Sequence, residues 1–378
     1  MNIGVNTRFL LRRKMEGFGW YTFETISRIV RNHPEHHFFF FFDRKYDKQF
    51  LFSKNITPIV LKPQARHPIL FKIWFDYAIP RALKKYKCDA FISPDGYVSM
   101  RTKTPQLAVI HDLNFEHNPT DIPKNILKYL RNNFPKFADK ATRISTVSNY
   151  SKNDIIDTYN INSQKIDVSY NGASEKFGPI NQEQKNIIRL KYTRGKKYIL
   201  FVGALHKRKN INRLIESFSM LKERTDFEHQ LLIVGEKLWN NSFFKIPEKI
   251  KEHVHFTGHT HKDELTNIMS TAELLTFVSY FEGFGIPIVE AMKAGTPVLS
   301  GNLTALPEVG GDAVHYCNPL DTMDIYEQLK YLLSQPDVLE NLKNKGLERS
   351  KMFTWDNTAK NLWMSFEKMM AQEQETGL

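Results

Sequence analysis

Phe281-Glu282-Gly283-Phe284-Gly285-Ile286-Pro287-Ile288-Val289-Glu290 decides how this chain is read. It follows the apolar run Leu274-Leu275-Thr276-Phe277-Val278, which has the pattern of a parallel strand buried on both faces. It precedes Ala291-Met292-Lys293-Ala294, good helix formers stopped by Gly295. The stretch is therefore a strand, a glycine-rich turn and a helix start. The glycines let a ligand approach the backbone closely. The helix N-terminus offers unpaired N–H groups and the positive end of a dipole, which suit a diphosphate. Glu282 in the turn and Glu290 further into the helix can each accept hydrogen bonds from hydroxyl groups. Two carboxylates beside an anion-friendly turn fit a nucleotide-sugar better than a metal.

Upstream, Leu200-Phe201-Val202-Gly203 is a second strand ending in glycine. It runs into Ala204-Leu205-His206-Lys207-Arg208-Lys209-Asn210 and a helix over Ile211–Met220. Ligands of open α/β sheets bind outside the carboxyl ends of strands. Cations fixed there stabilise the charge that a departing nucleoside diphosphate gains. Val234-Gly235-Glu236 and Gly258-His259-Thr260 are further strand-end turns of this half.

Further strands are expected at Tyr198–Val202, Gln230–Val234, Val254–Thr257 and Pro297–Leu299. The first half alternates in the same way. Its strands are expected at Ile3–Val5, Phe38–Phe42, Ile56–Leu61, Ala90–Ile92, Gln106–Ile110 and Arg143–Val147, with helices such as Tyr21–Arg31 and Lys124–Ala138 between them. The turn-rich Asn171–Pro179 reads as the link. The fold class is α/β: two Rossmann-like doubly wound parallel sheets facing a cleft. The domains are expected at 1–175 and 176–355, followed by an amphipathic helix within 356–378.

The 378 residues suffice for two cores, and 41% hydrophobic with 25% charged residues is a globular composition. No apolar run approaches the ~20 residues that span a bilayer. The N-terminus starts a strand at once and lacks a signal-peptide pattern, and the two cysteines fall in different halves. A reducing, cytoplasmic setting is expected. Residues 1–180 hold 28 Lys and Arg against 16 Asp and Glu, so the whole excess of +12 lies there. That half is expected to meet something anionic, such as a phospholipid surface, a lipid diphosphate or an acidic glycan. No nucleic-acid motif is present.

Read whole, Glu282-Gly-Phe-Gly-Ile-Pro-x-x-Glu290-Ala-Met-x-Ala-Gly295-Thr-Pro-Val resembles the Glu-x7-Glu signature of glycosyltransferase family 4. That family is a large retaining group with the GT-B fold, and the resemblance runs through most of the chain. It implies transfer of a hexose from a nucleoside-diphosphate sugar to a hydroxyl of a glycan or lipid-linked glycan. Retention is expected by internal return, in which the leaving phosphate takes the incoming proton. Arg208 and Lys209 match the family's phosphate-binding pair. The resemblance assigns Glu282 and the Gly283, Phe284 and Gly285 amides to the donor sugar, and Glu290 to the ribose. It assigns Gly203, Gly258 and His259 to the donor cleft, the last two at the nucleobase. It makes the final helix cross back onto the N-terminal domain.

In the first half, Lys14-Met15-Glu16-Gly17-Phe18-Gly19-Trp20-Tyr21 reads as a loop after the first strand. Gly17 and Gly19 would bring its backbone to the donor phosphates or the acceptor. It resembles the family's Gly-Ile-Gly-Arg-Tyr stretch, with Trp20 where arginine is common. His111 in Val109-Ile110-His111-Asp112-Leu113 matches the family's histidine, expected to hold the transferring sugar. Asp112 is expected to fix its tautomer or cap the next segment. Ser148 is expected to cap the following helix. Ala204 departs from relatives with an arginine after the strand glycine and agrees with a subgroup that has a small residue there followed by Arg-Lys-Asn. Relatives of that form are often mannosyltransferases, so the resemblance favours mannose from GDP-mannose, with UDP-sugars as the alternative donors.

No Asp-x-Asp pair and no metal-spaced His/Cys cluster occurs, so no cofactor or metal is expected. Aromatic Phe71, Trp74, Phe75 and Tyr77 among Lys72, Arg81, Lys84, Lys85 and Lys87 suit either a peripheral contact with an anionic membrane or a place in the core. The alternative function is a sugar-nucleotide-binding protein with little transferase activity.

Overall fold

The structure is a computed structural model of the chain. It describes all residues except 13, 14, 16, 236–245, 259, 377 and 378. The chain forms two units, Met1–Asn171 with Trp355–Leu378, and Gly172–Thr354. The link therefore enters the second unit at Gly172.

The first unit is built on strands β1 (Asn2–Asn6), β2 (His37–Phe42), β3 (Ile56–Val60), β4 (Ala90–Ser93), β5 (Gln106–Ile110), β6 (Arg143–Thr146) and β7 (Ile166–Val168). They form one parallel sheet in the order β3-β2-β1-β4-β5-β6-β7. The run Phe38–Phe42 pairs on one side with β1 and on the other with β3. Four of its five rings are buried, and Phe39 stacks on Tyr86. Parallel sheets covered on both faces need such continuous apolar strands.

The second unit holds β8 (Tyr198–Val202), β9 (Gln230–Val234), β10 (Val254–Gly258), β11 (Leu274–Phe277), β12 (Val298–Gly301) and β13 (His315–Cys317). The sheet is again parallel, ordered β10-β9-β8-β11-β12-β13. In both sheets the order reverses beside the first strand of the unit, the switch point at which such folds bind ligands. Phe201, Phe218, Leu231, Ile233 and Leu274 are among the core residues packed between sheet and helices.

The helix Trp355–Thr376 belongs to the first unit, against the helix Gly17–Asn32. Arg28 joins them, with Nε 2.6 Å from Asp356 and a terminal nitrogen 2.7 Å from Glu24. His33 stacks on Trp363 at 3.8 Å. Asp167 on β7 accepts from Arg143 at 2.5 Å and from Lys368 at 2.8 Å.

Three local expectations change. The helix expected from Tyr21 starts at Gly17, so Gly17 and Gly19 lie in its first turn, not in a loop. Gly19 is needed there because a Cβ would stand 2.7 Å from the Phe9 carbonyl oxygen. The helix start read within the signature stretch falls at Ile286, with Gly285 as its N-cap at φ +103°, which puts Glu290 inside the helix as expected. The edge strands β7 and β13 were not expected; each is three residues long and only partly buried, so neither leaves an apolar run. Trp74 and Phe75 are core residues, which removes them from any exposed aromatic face.

Candidate active site

The second unit assembles one site from β8, β9, β10 and β11 and the turns after them. Gly203 N donates to the Val234 carbonyl at 3.0 Å, and Gly235 N to the Gly258 carbonyl at 3.1 Å. The three strand-end glycines thus form a hydrogen-bonded row. Gly235 has no room for a side chain, since a Cβ would stand 2.0 Å from the Gly203 oxygen.

After Gly203 the chain makes a short 3₁₀ turn, Lys207–Lys209, and then the helix Ile211–Arg224. Asn210 between them is buried in a left-handed conformation. Its amide donates to the Val278 carbonyl at 3.0 Å and to the Pro319 carbonyl at 2.5 Å. Tyr280 N also donates to the Arg208 carbonyl at 3.0 Å. These bonds fasten the basic turn beside the end of β11, where the Glu282 turn begins.

Glu282 meets both cations. Its Oε1 accepts from Lys209 Nζ at 2.6 Å and its Oε2 from Arg208 at 2.5 Å. Arg208 also donates to the Phe281 carbonyl at 3.0 Å. Glu282 is 6% exposed and Lys209 8%. Lys209 Nζ sits 4.7 Å from the centre of the Phe277 ring. Burial alone would raise the Glu282 pKa, but the Arg208 and Lys209 charges outweigh it and hold the carboxyl at about 2. The backbone of Glu282 is pinned as well. Its N–H donates to Thr304 Oγ1 at 3.1 Å, and its carbonyl accepts from Ala305 N at 3.4 Å.

Gly283, Phe284 and Gly285 follow in a buried turn, and Phe284 lies edge-on to Phe353. Glu290 is half-buried inside the helix Ile286–Ala294. That helix has no side-chain cap on its first N–H groups. The structure thus brings Gly203, Arg208, Lys209 and Glu282 together at the carboxyl ends of the strands. Glu290 lies on the helix after the turn, and Gly258 lies in the glycine row. His259 and Glu236 lie outside the described residues, as do Lys14 and Glu16.

The first unit assembles a second constellation. His111 directly follows β5, and its ring lies edge-on to Phe18 at 4.9 Å and Tyr21 at 4.6 Å. Its Nε2–H donates to the Pro94 carbonyl at 2.8 Å, so in the neutral ring Nδ1 carries the lone pair. Burial lowers the His111 pKa, against the opposing pull of the Pro94 bond, Asp112 and Asp95. The tautomer is therefore fixed by Pro94 and not by Asp112, whose carboxylate accepts from Asn114 N at 3.0 Å and closes the next turn. Ser148 caps the helix Asn149–Tyr159 through Ser151 N.

Asn210, in the basic turn, and Thr304, in the loop 302–308 that resembles the family's loop closing over the diphosphate, serve the site through backbone partners distant in the chain. Sequence reasoning missed one group. Arg8 forms a buried pair with Asp95 at 2.7 Å, one residue beyond the carbonyl that holds His111. A lone arginine after a strand gave no signal of this. Among the described residues no three His, Cys, Asp or Glu side chains converge as metal ligands would, and no helix is long and apolar enough to cross a membrane.

Two parallel Rossmann-like sheets, one carrying fixed cations and a helix N-terminus at its switch point, are the architecture of the GT-B fold. Residues 15–176 match the family model described as Glycosyltransferase Family 4, and residues 182–349 that described as Glycosyl transferases group 1. The chain belongs to this glycosyltransferase family and is a hexosyltransferase. It is 28% identical over 280 residues to the O-antigen chain mannosyltransferase B of Escherichia coli, covering 73% of each chain. It is 28% identical over 261 residues to the serotype-specific mannosyltransferase WbdA of the same organism; that match covers 67% of this chain and 32% of the much longer relative. The crystal structure of Anabaena HepE in complex with UDP-glucose has a similar fold, with a TM-score of 0.74, 14% identity, and 97% of this chain and 100% of that one covered.

Proposed function

We propose that this hexosyltransferase moves mannose, with retention at the anomeric carbon, from GDP-mannose to a hydroxyl of a growing polysaccharide of the O-antigen kind. The observation that carries the donor half is the cation pair Arg208 and Lys209, seated at the end of β8 and oriented by Glu282. A nucleoside diphosphate leaving from a sugar gains negative charge, and cations fixed in a buried site stabilise it without reorganising. The uncapped start of the helix Ile286–Ala294 adds N–H donors for the same charge.

Retention follows in this reading from the leaving phosphate, which stays on the face it left and takes the proton of the attacking hydroxyl. No protein nucleophile is required. Glu282 is poorly suited to be one, because both its oxygens are bonded to cations. The preference for mannose rests on the relatives named mannosyltransferases. Thermal-shift measurements with GDP, UDP, dTDP and ADP test the base, since a ligand that binds only the folded form raises apparent stability. GDP is expected to give the largest shift. Transfer from GDP-mannose, with the product's anomeric configuration read by NMR, tests the sugar and the retention.

The anionic target of the first unit is, in the same proposal, the membrane surface that carries a lipid-linked acceptor. Ile69 is 66% exposed and Ile73 39%, among exposed Arg66, Lys72, Arg81, Lys84, Lys85 and Lys87. Apolar side chains ringed by cations suit an anionic interface. Flotation with anionic liposomes at low salt should carry the protein upward, and salt should release it. No flotation at low salt would sink this part.

A further inference from the structure

Arg8 lies just after β1 and Asp95 just after β4. These are the two neighbouring strands from which the first sheet runs outward in opposite directions. Ligands of open α/β sheets lodge at this point, and here it holds a buried guanidinium. Arg8 is 4% exposed and its Nε donates to Asp95 Oδ2 at 2.7 Å. Burial, the largest single influence, would lower its pKa, but Asp95, Tyr97 and Asp43 together outweigh it and the group stays charged.

The two partners are used unequally. Asp95 Oδ1 accepts from Asn6 Nδ2 at 2.9 Å, Ser93 Oγ at 3.1 Å and Tyr97 N at 3.3 Å, so the carboxylate is saturated. Arg8 spends only Nε on it. Among the described residues only the Tyr97 hydroxyl stands near as a further acceptor, which leaves most of the guanidinium's N–H donors unmatched. Arg8 contributes none of the buried polar atoms that lack a partner among the described residues, so its outer N–H groups reach open space, where a ligand can meet them. The side chain is nevertheless fixed. The rings of Phe9, Phe71, Phe75 and Tyr97 hold its carbon at 4.6, 5.0, 5.3 and 4.4 Å. The wall continues to His111, since Phe9 packs on Phe18 at 5.5 Å and Phe18 on His111 at 4.9 Å.

We propose that Arg8 is a recognition residue for the receiving glycan, its outer N–H groups donating to the hydroxyl oxygens of a neutral sugar ring. Charge decides the class of ligand. Arg8 and Asp95 cancel, so the pair lacks the excess positive charge that would select a phosphate or carboxylate. A hydroxylated ring supplies lone pairs to the guanidinium and a C–H face to the surrounding aromatic side chains. The inference rests on the proposed function, because it takes the first unit as the half that receives the sugar.

The test uses the full chain and Arg8→Lys, which keeps the charge opposite Asp95 but loses the planar fork. Methyl α-mannoside is the probe, inorganic phosphate the contrast, both followed by saturation-transfer NMR. GDP titration is the control. Arg8→Lys should weaken methyl α-mannoside at least fivefold and leave GDP affinity within twofold, and wild type should not respond to phosphate. Unchanged mannoside binding in Arg8→Lys, no response of wild type to it, or phosphate competing for the place would overturn the proposal. Failure of wild type to bind GDP would instead count against the proposed donor and leave the mannoside result readable. If Arg8→Lys does not fold, arginine-labelled wild type decides. The slowly exchanging guanidinium signal must move with methyl α-mannoside and stay still with phosphate; the reverse pattern overturns the inference.

Discussion

Lys209 and Glu282, 73 residues apart in the chain, meet at 2.6 Å in a site that almost excludes water. The carboxylate's other oxygen holds Arg208 at 2.5 Å. The two cations that suit a diphosphate are thus gathered before any ligand arrives, and the acid expected to touch the sugar is what gathers them.

Glu282→Ala should therefore weaken GDP itself, which has no sugar, by about tenfold or more. Without the carboxylate the cations repel each other and lose their common orientation, so the diphosphate must order them on binding. Isothermal titration with GDP and GDP-mannose checks this. Unchanged GDP affinity beside weakened GDP-mannose would return Glu282 to a contact with the sugar alone.

Arg208→Ala should cost about 10²–10³ in kcat, the usual effect of deleting one charge-stabilising donor. Steady-state rates with saturating donor read it directly. Near-normal turnover would take Arg208 out of the phosphate site.

The pH dependence of stability has a defined sign. The folded-state pKa of Glu282 is about 2 against a reference of 4.5, and that of Asp167 about 2 against 3.8. Both are depressed. Each therefore contributes stability that is complete above the reference value and is lost as pH falls through about 2. Urea unfolding followed from pH 6 downward should show that loss beginning near pH 4.5. Glu282→Gln and Asp167→Asn should each remove part of the slope. A slope identical in both variants would contradict the assignment.

His111 should act as a neutral imidazole with its lone pair on Nδ1. Its pKa lies below 6.5, so kcat/KM should fall on the acid side with a midpoint under that value. His111→Gln retains a donor toward Pro94 but loses Nδ1, and should impair transfer at least tenfold with GDP affinity unchanged. An acid midpoint at or above pH 7 would show that a different group titrates.

Gly285 caps the helix Ile286–Ala294 at φ +103°, and a Cβ there would stand 2.9 Å from Leu306 Cδ2. Gly285→Ala should lose about 1–2 kcal/mol of stability from the left-handed backbone alone, and the shifted turn should weaken GDP. Chemical denaturation and titration measure the two effects separately.

The donor turn was legible because its signal is local: an apolar strand, spaced glycines and a helix start lie within a few dozen residues. Most strands were legible as apolar runs for the same reason. What failed was what depends on partners distant in the chain. The start of the helix at Gly17 goes against glycine's low propensity. Edge strands β7 and β13 are too short and too wet to show. The Arg8–Asp95 pair spans 87 residues and exists only because β1 and β4 are neighbours in the sheet. The pairing of Glu282 with Arg208 and Lys209 likewise follows from β8 lying beside β11, an adjacency no motif states.

A crystal structure of the protein with bound GDP tests the central claim most directly. The account predicts the diphosphate within hydrogen-bonding distance of Arg208 and Lys209, at the start of the helix Ile286–Ala294, with the ribose at Glu290. A diphosphate lodged away from these two cations would contradict it.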